Sequence, residues 1–181
     1  EFPWLADLEA GADAIRAELG PLLGEFPSLP RVADIERTGD YEVEGWRAFF
    51  LRFAGRSVPA HAQRFPRTCA LLERVPGLYF ALFSILVGPS HIPEHRGYTK
   101  CLLRGHLPLH VPRRPEDCRF RVAGETRHWH RDRAFVFDDT QPHEVWHDGD
   151  EPRVLLMFDF HRPMPAPPPP VAGRALLRGH P

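Results

Sequence analysis

The histidines and arginines between positions 91 and 161 are the residues whose types and spacing suggest chemistry. His95 lies in a turn-like segment before a predicted strand, and His143 begins another predicted strand. Neutral imidazoles are suitable ligands for Fe(II). Arg153 follows His143 by ten residues, and a guanidinium offers a fork of donors that fits a carboxylate. The combination predicts a mononuclear iron site beside a pocket for a keto acid.

The predicted strand over 102–110 carries a second group of polar residues. Side chains alternate between the faces of a strand, which places Arg104 and His106 together and three leucines opposite them (Leu103, Leu107 and Leu109). The leucine face is expected to enter the core, so the polar face lines solvent or a pocket. The final predicted strand is a nearly unbroken apolar run, VLLMF, and Arg153 is expected at its rim. Ser84 offers a hydroxyl for one further hydrogen bond to a keto acid.

A series of short motifs, in order and at matching offsets, resembles the aspartyl/asparaginyl β-hydroxylases. The similarity runs from about Gly45 to Pro163, roughly two thirds of the chain. Its most specific part is FDDTQPHEVW at 137–146, followed by Arg153. The other motifs are TCALLE (68–73), FSIL (83–86), PEHRG (93–97), LRGHL (103–107) and ETRHW (125–129).

The resemblance implies a fold, a cofactor set and a list of site residues. The fold is mainly β, a double-stranded β-helix (jelly roll, cupin-like) with N-terminal helices packed alongside. The cofactors are Fe(II), the co-substrate 2-oxoglutarate and O₂, which together make the protein a hydroxylating dioxygenase. The iron ligands and catalytic residues fall on His95 and His143. The contacts to 2-oxoglutarate fall on Ser84, Arg104, His106 and Arg153.

Position 97 departs from most 2-oxoglutarate oxygenases, which supply a carboxylate two residues after the first histidine. Gly97 stands there, as is usual in the family resembled, so only two protein ligands are expected. Asp138 and Asp139 are interpreted as residues that shape the turn before His143 and support the site, rather than as ligands. A missing carboxylate is also found in iron halogenases, where it admits halide; the surrounding motifs favour hydroxylation.

Position 102 departs from family members that act on aspartyl side chains. Those members have an arginine two residues before the one matching Arg104, and this chain has Leu102. Leucine cannot make a charge-assisted hydrogen bond, worth about 1.5–3 kcal/mol. The substrate is therefore expected to be less acidic, or Lys100 replaces the missing charge; Pro108, where the family usually has glycine, reshapes the pocket wall. The expected reaction remains hydroxylation of an unactivated C–H, at the β-carbon of an Asp/Asn-like residue or an amino-acid-derived substrate.

The elements that must position these residues change in character along the chain. A helical part over about 1–75 begins with an apolar stripe that Gly20-Pro21 is expected to break. Within it, 46–53 is strand-like and 67–74 is helical. A β core over about 76–164 follows, with strands predicted at 78–87, 100–111, 118–122, 134–137, 143–147 and 153–160. Residues 1–164 are predicted to form one oxygenase domain, and 165–181 a proline-rich tail.

Composition limits the class of protein and its partners. The formal charge of −1 argues against a nucleic-acid binder, and three cysteines without a CxxC pair fit a reducing compartment. No signal sequence or membrane anchor is recognised, so the expectation is a cytoplasmic protein acting on a small-molecule, amino-acid or peptidyl substrate.

A non-catalytic metal-binding jelly-roll module is an alternative function, because a lone histidine is more often structural than a ligand. The related lipid A hydroxylases are less favoured, since they have a carboxylate at position 97.

Overall fold

The computed structural model describes residues 2–35 and 43–163, and it begins with a group of short helices. The helices are α1 (Leu5–Ala10), α2 (Ala12–Gly24), α3 (Val32–Ile35), α4 (Pro59–Ala62) and α5 (Pro66–Leu72), with 3₁₀ turns at Phe26–Ser28 and Pro115–Asp117. No helix in the described ranges is long and apolar enough to cross a membrane.

The strands form two antiparallel sheets that pack face to face. Their bounds are β1 (Trp46–Phe53), β2 (Arg56–Ser57), β3 (Leu78–Leu86), β4 (Ser90–His95), β5 (Leu102–His110), β6 (Cys118–Val122), β7 (Glu125–His128), β8 (Phe135–Phe137), β9 (His143–His147) and β10 (Arg153–His161). The larger sheet has the order β2-β1-β3-β10-β5-β8, and the smaller sheet has the order β4-β9-β6-β7. This arrangement confirms the predicted mainly β jelly roll with helices at its N-terminal end.

The larger sheet buries its two faces against different partners. Its outer face packs against the helices in one apolar cluster, which includes Ile15 of α2 and the predicted leucine face of β5 (Leu103, Leu107 and Leu109). Its inner face packs against the smaller sheet in a second cluster, in which Leu155 meets Phe120 and Val145. The polar pair on β5 therefore lies between the sheets, as the alternation of side chains predicts.

The predicted helix break at Gly20-Pro21 is wrong, because α2 continues through Pro21 to Gly24. Pro21 lies in the last turn, on the exposed side, and its missing N–H removes one hydrogen bond. Leu19 and Leu22, on either side of it, are fully buried. Burying one leucine contributes about 1.5–3 kcal/mol, which offsets the lost hydrogen bond and keeps this turn helical.

All six predicted strands are present, and the structure adds β4 and β7 to them. Neither addition has an apolar alternation. β4 contains Pro93 and a register shift between Ile92 and His95, while every residue of β7 is exposed. In the N-terminal part, β1 confirms the strand predicted over 46–53 and the structure adds β2; both join the larger sheet. The predicted tail at 165–181 lies outside the described residues.

Candidate active site

Two histidines face each other across neighbouring strands of the smaller sheet. His95 is the last residue of β4, His143 is the first residue of β9, and the two are register partners. Their ring centroids lie 4.1 Å apart. His95 is therefore in a strand, not in a turn before one, because its backbone pairs with β9. The two residues sit on separate elements, and the sheet brings them together.

Backbone carbonyls orient both imidazole rings. The Nδ1 atom of His95 lies 2.8 Å from the Pro93 carbonyl oxygen, and Nδ1 of His143 lies 2.9 Å from the Gln141 carbonyl oxygen. Because a carbonyl oxygen can only accept, each Nδ1 carries the hydrogen and each Nε2 carries the lone pair. This is how metal-binding histidines are usually held.

Both rings are neutral at pH 7, the form that binds a metal. Burial, followed by the neighbouring His95, lowers the pKa of His143 to about 4. Burial also lowers the pKa of His95, although its hydrogen bond to Pro93 opposes the shift. Within 2–35 and 43–163, no group of three or more His, Cys, Asp or Glu side chains is placed to hold a metal ion. These two neutral rings are able to bind a metal, and the iron site with two protein ligands stays a prediction from the sequence.

Asp139 fills the space beside Gly97. A Cβ atom on Gly97 would lie 2.3 Å from Cγ of Asp139, and the Gly97 N–H donates to the Asp139 carbonyl over 2.7 Å. The Asp139 carboxylate is buried, and its Oδ1 has no hydrogen-bond partner. Asp138 has a different role, since it accepts hydrogen bonds from Thr140 and Arg162. Asp138 therefore shapes the turn, while Asp139 excludes a side chain at position 97.

We expect Gly97→Ala to destabilise the protein by about 1–3 kcal/mol, because the new methyl group must displace the Asp139 carboxylate. Urea denaturation measures this change. Gly24→Ala is the matched control, since a Cβ there meets nothing within 4 Å and its helical position favours alanine. Equal stability changes in the two variants would show that the space beside Gly97 can be vacated without cost.

Arg153 is buried between the sheets, not at the rim of the last strand, with 2% of its surface exposed. Its Nη2 donates to Ser84 Oγ over 3.1 Å, and its guanidinium lies 5.0 Å from the centroid of the Trp129 ring. Its Nε has no hydrogen-bond partner in the part of the chain that the structure describes. Burial lowers its pKa to about 10, so it is still charged at pH 7. No salt bridge to Arg153 forms among the described residues, and a buried cation without an anion is costly.

Ser84 and His106 present two more hydrogen-bond donors near Arg153. Ser84 Oγ accepts from Arg153 and from Trp46 Nε1, which lies 3.0 Å away, so its own O–H is left to donate elsewhere. Nδ1 of His106 accepts from Trp129 Nε1 over 3.3 Å, and its Nε2 is buried without a partner. Burial, reinforced by Arg153, holds the pKa of His106 well below its usual value. Three hydrogen-bond donors therefore lie near one another between the sheets, since Arg153 contacts Ser84 and both Arg153 and His106 contact Trp129.

The remaining predicted site residues lie on or near β5. The Arg104 guanidinium makes two 2.8 Å hydrogen bonds to the Asp159 carboxylate and lies 3.4 Å from Asp139 Oδ2. Leu102 is nearly buried, two residues before Arg104 on the same strand face. Lys100 is exposed in the turn before β5, where its carbonyl accepts from Arg162. The structure thus places Ser84, His106 and Arg153 near one another between the sheets and pairs Arg104 with a carboxylate.

Sequence reasoning does not single out three residues that the structure places in the site. Trp46 and Trp129 supply the indole N–H groups that fix Ser84 and His106. Asp159 is the counter-ion of Arg104, and a signal for it exists, because it is the one charged residue within the apolar run VLLMFDF. Trp129 closes the motif ETRHW, but its hydrogen bond to another strand cannot be read from spacing.

The fold and the site together define a jelly-roll protein with two facing histidines and a buried arginine between its sheets. The sequence model of the family described as Aspartyl/Asparaginyl beta-hydroxylase matches residues 9–163. The chain belongs to this family, which is a family of hydroxylases with a cupin-type fold.

Named relatives and a solved structure agree with this assignment. The chain is 37% identical over 169 residues to an ornithine lipid ester-linked acyl 2-hydroxylase of Rhizobium tropici, covering 92% of this chain and 60% of that protein. It is 34% identical over 140 residues to the human aspartyl/asparaginyl beta-hydroxylase, covering 75% of this chain and 18% of that protein. A prolyl-4-hydroxylase structure from Pseudomonas putida has a TM-score of 0.52 at 17% identity, covering 87% of this chain and 88% of that one, and thus shares its fold.

Proposed function

We propose that the protein is an Fe(II)- and 2-oxoglutarate-dependent dioxygenase that hydroxylates an unactivated C–H bond. The observation that carries the proposal is the buried, charged Arg153: among residues 2–35 and 43–163 its Nε has no hydrogen-bond partner and no carboxylate pairs with it, while Ser84 and His106 lie nearby as further donors. A dicarboxylate would supply that anion. His106 and His143 both pack against Phe137, so the donors lie near the His95–His143 pair. The iron, when bound, supplies oxygen activation, which no amino-acid side chain can provide.

Each residue of the site has a defined task in this proposal. His95 and His143 hold the metal through Nε2. Ser84 and Arg153 bind the far carboxylate of 2-oxoglutarate, and His106 donates from Nε2 to the same co-substrate. Arg104 was predicted as another contact; since Asp159 already holds it bidentately, we assign it to the wall beside the metal site. The apolar cluster below the pocket excludes water from it.

Asp139 disfavours the halogenase alternative. Its buried carboxylate fills the space beside Gly97, where the missing ligand would otherwise leave room for a halide. When ionised, this carboxylate has the same sign of charge as a halide and would repel it. The site therefore supports hydroxylation better than halogenation.

The substrate is an amino-acid-derived molecule, and two classes of such substrate can be compared with the site. An Asp/Asn-like side chain follows from the family, and an acyl chain attached to an amino acid follows from the Rhizobium tropici relative, whose name describes hydroxylation of an ornithine lipid. The inner face of the larger sheet favours the second class. Beside His106 in register lie Met157, Leu82 and Phe50, all apolar, and Leu102 stands where a cation is expected for an aspartyl substrate.

Succinate formation with each substrate class tests this choice. We expect turnover with vesicles containing an acylated ornithine lipid to exceed turnover with an aspartyl peptide. Leu102→Arg should lower turnover of the lipid by about tenfold, because it places a charge on an apolar wall, whereas Leu102→Met should change it by less than about threefold. Faster turnover of the peptide by the unsubstituted protein would reverse the assignment.

A further inference from the structure

Trp129 is a buried tryptophan that touches two residues of the anion pocket at once. Its indole N–H donates to His106 Nδ1 over 3.3 Å, and the Arg153 guanidinium lies over its ring, 5.0 Å from the ring centroid. The ring is itself held by Phe120, which stacks on it at 5.5 Å with an interplanar angle of 28°. Trp129 is 4% exposed, so it has little freedom to turn.

The indole N–H determines which nitrogen of His106 carries the hydrogen. Indole can only donate, so Nδ1 must be the acceptor, and in a neutral ring the hydrogen then sits on Nε2. That nitrogen is buried and has no partner among the described residues. Without the indole, the tautomer with its hydrogen on Nδ1 would leave a lone pair on Nε2, and a lone pair repels a carboxylate.

We propose that Trp129 is a positioning residue for 2-oxoglutarate: its N–H fixes His106 in the Nε2–H tautomer, and its ring face aligns Arg153. This inference rests on the proposed function, and Trp129 itself does not touch the co-substrate. The pocket is thereby preorganised, because the donor faces the anion before the anion arrives. The same contacts make the effect reciprocal, so an anion bound at Nε2 strengthens the Trp129–His106 hydrogen bond.

The tautomer can be read directly in the metal-free protein. Long-range ¹H–¹⁵N correlation spectra of the ¹⁵N-histidine-labelled chain should show His106 with Nε2 protonated and Nδ1 unprotonated. Addition of 2-oxoglutarate alone should move the Trp129 indole proton downfield. A hydrogen on Nδ1, or an indole proton that does not respond, would overturn the proposal, whether or not any variant folds.

The variant Trp129→Phe tests the role of the indole N–H separately from the role of the aromatic face. Phenylalanine keeps an aromatic face under Arg153 but loses the donor and one of the two fused rings, so His106 should populate both tautomers. We expect the 2-oxoglutarate concentration for half-maximal turnover to rise by about three- to tenfold, with kcat changed by less than about twofold. Trp146→Phe is the matched control, because that ring stacks on His91 on the outer face of the smaller sheet.

Three results would contradict the positioning role. The first is Trp129→Phe with His106 still protonated only on Nε2, and the second is Trp129→Phe with mixed tautomers but an unchanged 2-oxoglutarate concentration for half-maximal turnover. The third is a rise of that concentration in Trp146→Phe equal to the rise in Trp129→Phe. The proposed function fails separately, if the unsubstituted chain forms no succinate while its His106 spectrum is as expected.

Discussion

His143→Ala is expected to reduce succinate formation by more than about a hundredfold. Removing a residue that only orients a metal ligand already costs 10–100-fold, and His143 is assigned as one of just two protein ligands. Within the described residues no third carboxylate, thiolate or imidazole joins the pair to compensate. The variant should stay folded, because the ring is replaced by a smaller side chain at the start of β9.

His128→Ala is the control for that experiment. His128 is exposed on β7, so its removal leaves the space between the sheets unchanged. Its rate should equal that of the unsubstituted chain. Succinate formed by His143→Ala at the unsubstituted rate would remove this residue from the metal site.

Arg153→Met is expected to weaken the binding of 2-oxoglutarate and to stabilise the protein in its absence. The 2-oxoglutarate concentration for half-maximal turnover should rise by more than about thirtyfold, since a buried charged partner of a carboxylate contributes 2–5 kcal/mol. Without 2-oxoglutarate, the same change should raise the free energy of unfolding by about 1–4 kcal/mol, because it removes a buried charge that has no salt bridge. Turnover at several co-substrate concentrations and urea denaturation of the metal-free protein measure the two effects.

Arg153→Lys is the matched variant, because it keeps the charge and loses the planar fork. Its half-saturation should lie between those of the unsubstituted chain and Arg153→Met. A loss of stability in Arg153→Met, combined with unchanged half-saturation, would mean that Arg153 is a structural residue and not an anion-binding one.

The strand pattern and the family motifs predict the jelly roll, whereas the pair of His95 and His143 comes from the resemblance to the family and not from local pattern. Strand alternation places His106 inward and the leucines of β5 in the core, and the register of β4 with β9 then joins His95 to His143. The burial of Arg153 is not predictable in this way. A charged residue at the start of a strand is normally exposed, and only the packing of Trp129 and Ser84 around it shows otherwise.

Contacts between distant segments explain the other differences. The pairing of Arg104 with Asp159 depends on the register of β5 with β10, which spacing along the chain does not specify. The helix at Pro21 persists because tertiary burial of its neighbours outweighs a local preference. The reason why position 97 is a glycine is also visible only in the folded structure, where the Asp139 carboxylate occupies the space that a side chain would need.

Anaerobic addition of Fe(II) and then 2-oxoglutarate to the full chain tests the proposed site most directly. Chelation of the metal by the keto acid should produce a weak visible metal-to-ligand charge-transfer band in the unsubstituted protein. The band should be absent in His143→Ala and should require much more 2-oxoglutarate in Arg153→Met. A non-catalytic jelly-roll module would give no band in the unsubstituted protein, and that result, or an equal band in His143→Ala, would contradict the proposed iron and 2-oxoglutarate site.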